Sequence, residues 1–387
     1  MPRKKKKPKK PYDDFPLFPH ATKRWAKKIR GKLHYFGPWE DWKAALKKYQ
    51  EQKDDLHAGR TPRVQGDGLT VRDLLNRFLT SKKMLVDGGE LATRTFADYR
   101  MTCDRLSAAF GLTRLVHDLG ADDFEKLRCE ASERLGPVAL GSFIQRVRVV
   151  FKYAYDAGLV DKPVRYGPLF RRPGRKVLRQ ARHASGPRMF EAEELRRILA
   201  AANVQLKAMV LLGVNCGFGN ADCGTLPFSA LDLEGGWVDY PRPKTAILRR
   251  CPVWPETMQA LHEAIARRPT PKDPSLSDRV FITHKGGSWW KETPDTPLSN
   301  AMALLLRSLG LYRPRLGFYA LRHTFETIGG EAKDQVAVDH IMGHVRDDMA
   351  SVYRERISDE RLRAVTDHVR AWLWPPAKKA TRKKRSG

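Results

Sequence analysis

Between Leu69 and Gly158 the apolar residues return at helical spacing, and this rhythm restricts the fold more than any other feature of the chain. Val71, Leu74, Leu75, Phe78 and Leu79 form one stripe, and Phe96, Tyr99, Cys103, Leu106 and Phe110 form a second. A third helix starts at Asp122 and runs through Leu127. Ile144, Val147, Phe151, Ala154 and Tyr155 make the fourth stripe, which Gly158 ends. Thr70, followed by Asp73, has the form of a capping box. Stripes of this kind are core rather than a cofactor site, and helices of this length bury them by packing as a compact bundle.

The flanking segments follow other rules. Trp25 to Trp39 reads as a hairpin turning at Arg30-Gly31, then a helix with Asp41 as cap and Trp42, Ala45, Leu46 and Tyr49 on one face, stopped at Ala58-Gly59. Tyr166 to Gly186 is basic, contains Pro and Gly, lacks an apolar period and reads as a linker. Beyond it, helices are expected over Glu191–Asn203, Leu206–Val214 and Glu256–Arg267, and from a cap at Ser299 through Leu309. Short β runs are expected at Trp237–Tyr240, Arg249–Val253 and Val280–Thr283, with a turn at Gly286-Gly287. Ser358 caps a last helix whose stripe of Leu362, Val365, Val369 and Trp372 needs a groove, either in its own domain or on a neighbouring protomer. The fold class is mainly α with a small β component.

Charge narrows the function. A net charge of +28 over 387 residues, with basic residues in every segment, creates a field that attracts polyanions, most often DNA or RNA. Lys82, Lys83, Arg94, Arg100 and Arg146 are candidate phosphate contacts, or charges on solvated faces. The basic start, residues 1–11, and the basic end, residues 376–387, cannot bury a core and read as tails. The five cysteines form no C-x-x-C pair and fit reduced core positions in a cytoplasmic protein. There is no apolar run long enough to span a bilayer, and no apolar core after the basic start, so neither a membrane span nor a signal peptide is expected.

One stretch carries chemistry. Gly317 to Tyr353 contains Leu321-Arg322-His323-Thr324-Phe325, then Met342-Gly343-His344, and then Tyr353 nine residues after that histidine. A guanidinium grips phosphate oxygens, an imidazole orients or exchanges a proton, and a phenol can be a covalent nucleophile. These three pieces, at this spacing, resemble the C-terminal signature of the tyrosine recombinases, the phage integrase family. The resemblance implies an N-terminal ββα module over residues 12–66, similar to the arm-type DNA-contacting modules of some integrases. It further implies a helical core-binding (SAM-like) domain over 67–165, a basic linker over 166–186 and an α+β catalytic domain over 187–375.

The resemblance also implies a reaction. A tyrosine attacks the scissile phosphate of double-stranded DNA, leaving a 3′-phosphotyrosyl link and a free 5′-hydroxyl, with no metal, nucleotide or other cofactor. Site-specific recombination, DNA integration and a homo-tetramer on paired sites would follow, in a cytoplasmic, nucleoid-associated protein of a mobile element. Carried over by motif, Tyr353 is the nucleophile, Arg322 the second catalytic arginine and His344 the distal histidine on the phosphate. Lys244, in Pro243-Lys244-Thr245, is the general acid toward the leaving oxygen. Two positions depart from the pattern. Tyr319 stands where the family has His or Lys, and can still donate a hydrogen bond. Gly219, in Cys216-Gly217-Phe218-Gly219-Asn220-Ala221-Asp222, stands where the first arginine is expected, and Arg242, Arg249 and Arg250 are near enough in sequence to replace it. The alternatives are a catalytically impaired DNA-binding protein of the same fold and a type IB topoisomerase-like strand transferase.

Overall fold

Residues 7–57, 68–292, 296–344 and 356–376 are described by a computed structural model. The chain forms two compact units, Met1–Ala184 and Ser185–Gly387.

The first unit contains two separate cores. Strands β1 (Phe18–His20), β2 (Arg24–Ile29) and β3 (Lys32–Pro38) make an antiparallel sheet in that order, so the expected hairpin gains an edge strand. Helix α1 (Trp42–His57) covers it, burying Ala45 and Tyr49 with Phe15, Trp25 and Phe36. Asp41 caps it, its Oδ1 accepting from the Ala44 amide at 2.9 Å. The helix stop proposed at Ala58-Gly59 lies outside the described residues.

The second core is the bundle that the stripes predict. It comprises α2 (Val71–Asp87), α3 (Thr93–Phe110), α4 (Ala121–Arg134) and α5 (Pro137–Asp156). Thr70 Oγ1 accepts from the Asp73 amide at 3.1 Å, and Phe78, Phe124, Phe143 and Phe151 are fully buried between the helices. Tyr155 is 46% exposed and not part of the stripe, because the fourth helix turns it past the edge of the core. Among the candidate phosphate contacts, Lys83 pairs with Asp87, and Arg146 lies 3.5 Å from Asp98, with its Nε donating to Thr102.

The segment read as a linker is more structured than that reading. Phe170 is fully buried in the bundle core and Tyr166 packs against it. Arg148 and Arg128 donate to the carbonyls of Phe170 and Arg171. Arg175–Ala184 forms helix α6, which buries none of its residues. Two aromatic residues suffice to dock a segment whose composition otherwise suggests solvent, since each removes a large apolar area from water.

The second unit is built around α8 (Val204–Asn215), buried from Ala208 through Asn215. Against it pack α7 (Ala192–Ala201), α10 (Pro255–Ala266), α11 (Pro297–Ser308) and α12 (Ala320–Gly330). Gly213 permits the close approach of α12: a Cβ there would lie 2.6 Å from Leu321 Cδ1. A short helix α9 (Asn220–Gly224) follows the turn after α8. Strands β4 (Leu231–Asp232), β5 (Trp237–Asp239) and β6 (Arg250–Pro252) form an antiparallel sheet. Val280–Thr283 is buried at Val280, Phe281 and Ile282 but makes only isolated bridges around it, not a strand. The cap of α11 is Thr296, not Ser299. Thr296 Oγ1 accepts from the Ser299 amide, because Pro297 at the first helical position moves the start upstream.

Two helices complete the unit: α13 (Gln335–Met342) and α14 (Asp359–Leu373). The stripe of α14 finds its groove in its own domain. Leu362, Val365 and Val369 are fully buried, Trp372 packs at the margin, and Trp254 Nε1 donates to the Thr366 carbonyl at 3.0 Å. Among the described residues no helix is long and apolar enough to cross a membrane.

Candidate active site

The site lies where the carboxyl end of α13 meets the start of α12 and the turn after α8. Gly343 has φ +62° and closes α13 as a left-handed C-cap. The last carbonyls of a helix carry partial negative charge and lack intrahelical donors. Two guanidinium groups meet them here. Arg322 Nη2 donates to the Met342 carbonyl at 2.5 Å, and Arg242 Nη1 donates to the Gly343 carbonyl at 3.2 Å. Arg322 Nη1 donates to the Gly217 carbonyl at 2.6 Å, which the left-handed turn at Gly217, φ +62°, presents.

Arg322 is 2% exposed, and its hydrogen bonds to Gly217 and Met342 go to carbonyls. Burial first, and then the charge of Arg242, push its guanidinium down to about 10, still cationic at neutral pH.

Behind it lies Arg249, also buried. Its Nε donates to the Tyr240 carbonyl at 2.8 Å and its Nη2 to Asp222 Oδ1 at 2.9 Å. Its guanidinium carbon stands 4.4 Å from the centre of the Phe218 ring. Asp222 Oδ2 in turn accepts from the Gly219 amide at 2.6 Å, so one carboxylate ties Arg249 to the start of α9. Arg250 is excluded from this cluster: it pairs with Asp239 and Asp359 and lies over Trp237.

His344 is half-buried directly after the cap. Its Nδ1 lies 3.5 Å from Glu326 Oε2 and 3.6 Å from Asp339 Oδ1. Two carboxylates on that side favour a proton on Nδ1 and leave the Nε2 lone pair free. Burial, followed by the charge of Arg322, lowers its pKa, so the imidazole is neutral at pH 7. Glu326, Asp339 and His344 offer donor atoms within 4.8 Å of one another, a spacing that can hold a cation. Gln335 Nε2 already donates to Glu326 Oε1 and Asp339 Oδ1, and this network orients the imidazole.

Tyr319 is the N-cap of α12 and is 49% exposed, its ring edge-on to His323. A Cβ at Gly219 would lie 3.3 Å from Tyr319 Cδ2 and 3.2 Å from Asp222 Oδ2. The two positions that depart from the recombinase pattern are therefore neighbours. Lys244 is exposed in the turn between β5 and β6, where Arg242 N donates to the Ile247 carbonyl, and it is not drawn into the buried cluster. Tyr353 lies outside the described residues.

Residues 188–359 match the model of the phage integrase family. This stretch is a phage integrase family domain. No curated protein matches it significantly. Among solved structures it resembles the Tn1549 transposon integrase in complex with a circular intermediate DNA, with TM-score 0.57 and 16% identity over 78% of this chain and 99% of that one. It resembles a lambda integrase dimer bound to a core site, with TM-score 0.55 and 14% identity over 89% of this chain and 96% of that one. A lambda integrase tetramer bound to a Holliday junction gives TM-score 0.56 and 14% identity over 90% and 98%. At these identities the likeness establishes the shared fold.

Within the phage integrase domain, sequence reasoning passed over Glu326, Asp339 and Gln335. A signal existed for Asp339: it is a charged residue in the apolar run Val336-Ala337-Val338-Asp339-His340-Ile341-Met342, and such a residue is retained when it has a partner.

Proposed function

We propose that this chain is a site-specific DNA recombinase that cuts and rejoins double-stranded DNA through a 3′-phosphotyrosine link at Tyr353. The observation that carries this reading is the convergence of buried Arg322 and neutral His344 on the carboxyl end of α13, just ahead of the segment bearing Tyr353. Arg322 would bind the scissile phosphate and neutralise charge that builds on its oxygens. It is already desolvated and fixed by two carbonyls, so little reorganisation is needed. His344, oriented through Nδ1, would accept the tyrosine hydroxyl proton at Nε2, and once protonated there would donate to the phosphate. Tyr319 would donate a hydrogen bond from the rim. Lys244 would reach the leaving 5′-oxygen once DNA orders the turn.

In this reading residues 67–165 grip DNA as a core-binding domain, residues 12–66 contact a second DNA segment, and residues 166–186 join them to the catalytic domain, 187–375. A homo-tetramer on paired sites, of the kind described for lambda integrase on a Holliday junction, is the proposed working assembly. The proposed setting is the nucleoid of a cell carrying a mobile element.

Trapping on a nicked suicide duplex tests the reading. Wild type should form a protein–DNA adduct that survives denaturation, and Tyr353→Phe should form none. An adduct that persists in Tyr353→Phe, or none from wild type on any site flanking the gene, would remove it. The absence of a side chain at Gly219 favours a second reading, in which the protein binds DNA without cutting it.

A further inference from the structure

We propose that Arg249 is the second phosphate-directed guanidinium of this site, doing from the β5–β6 connection what no side chain at Gly219 can do. The inference rests on the recombinase reading for the identity of the anion. It rests on geometry for the residue.

Three guanidinium groups, Arg242, Arg249 and Arg322, converge on the Met342-Gly343 end of α13. Arg322 and Arg242 donate to those two carbonyls. Arg249 packs its stem against the same cap: a Cβ on Gly343 would lie 3.0 Å from Arg249 Cδ and 3.1 Å from Arg242 Cβ. The carboxylate within this cluster is Asp222, so positive charge is in excess in a desolvated place. That arrangement is costly unless an anion completes it.

The side chain of Arg249 is 1% exposed, yet its Nη1 has no hydrogen-bond partner among the described residues. A buried N–H left without an acceptor costs stability, and a positioned ligand oxygen removes that cost. Its other donors are spent on fixed partners, Tyr240 O and Asp222 Oδ1, and the Phe218 ring lies under its plane. The guanidinium is thus held in one orientation with one edge free, which suits a preorganised phosphate donor. A side chain at position 219 would press closely on the Tyr319 ring and the Asp222 carboxylate. Gly219, Tyr319, Asp222 and Arg249 therefore form one rearrangement of the site and not a loss with nothing in its place.

The test uses tungstate, a tetrahedral dianion of phosphate size, with the full-length chain. In a crystal of wild type soaked with tungstate, one oxyanion should lie within about 3.2 Å of both Arg249 Nη1 and an Arg322 nitrogen. In solution Arg249→Lys keeps the charge but loses the planar fork, and should raise the tungstate Kd about tenfold. Arg250→Lys should leave it unchanged. Arg249→Met combined with Asp222→Asn removes the buried pair together, guards against a folding artefact and should weaken tungstate at least as much. Tungstate bound to Arg322 alone, no tungstate in the pocket, or an unchanged Kd in folded Arg249→Lys would each overturn the proposal. Failure of covalent DNA attachment would count against the recombinase reading and leave this result standing, because tungstate binding needs no nucleophile.

Discussion

Arg114 of the helical bundle and Arg322 of the candidate active site are held in opposite ways. In the bundle, Arg114 donates through both Nη atoms to Asp123, each at 2.6 Å, and its charge is neutralised where it sits. In the second unit, Arg322 is more deeply buried and is held by the carbonyls of Gly217 and Met342, which fix its plane but carry no formal charge. A carboxylate partner makes an arginine a structural staple. Carbonyl partners leave its formal charge unneutralised, which suits a group that meets an anion. Arg249 falls between the two, with one carboxylate and one free edge.

The contrast can be broken experimentally, and the largest effect belongs to Arg322. Arg322→Ala should lower the rate of covalent attachment to a suicide duplex by about 10³-fold or more, as removal of a phosphate-directed guanidinium does elsewhere. A loss smaller than about tenfold would place Arg322 with the staples. Arg114→Gln should show the reverse behaviour. It should cost about 1–2 kcal/mol of stability, seen as a lower denaturant midpoint, and leave the Kd for tungstate unchanged. A change in anion affinity would erase the distinction between the two regions.

The smallest effect is the pH dependence. Burial holds His340 and His344 below their ordinary value of 6.5. Above that value both states are neutral at these residues, and their contribution is fully present. As pH falls below 6.5 the unfolded chain takes up protons that the folded one resists, and stability declines. The melting temperature should therefore be level in this respect above pH 7 and fall below 6.5, with a shallower fall in His340→Asn. An equal slope in that variant would show that its burial contributes nothing to the acid limb.

Much of this protein is legible in its sequence, because local rules govern most of it. Helical periodicity gives the bundle, since Phe78, Leu106 and Val147 can share one core only if their helices pack together. The spacing of Arg322, His344 and Tyr353 resembles the signature of the family whose model matches residues 188–359. Where one side chain at a distance decides the outcome, sequence reasoning fails. Phe170 docks a stretch that reads as a linker, and Pro297 moves a cap from Ser299 to Thr296. The docking of α14 on its own domain depends on grooves made by α12, α13 and β6, whose shape no local pattern contains.

The same limit applies most sharply at Gly219. Sequence alone determined that Gly317 to Tyr353 resembles the recombinase signature, with one arginine in the matched run and no side chain where a second arginine is expected. It also named Arg242, Arg249 and Arg250 without a way to choose between them. Tertiary structure chose. Arg250 is spent on Asp239 and Asp359, Arg242 caps α13, and Arg249 is buried with one edge unpaired among the described residues. The reason is physical: neighbours in sequence fix which residues are available, but burial and the direction of each hydrogen bond fix which charge is left for a ligand.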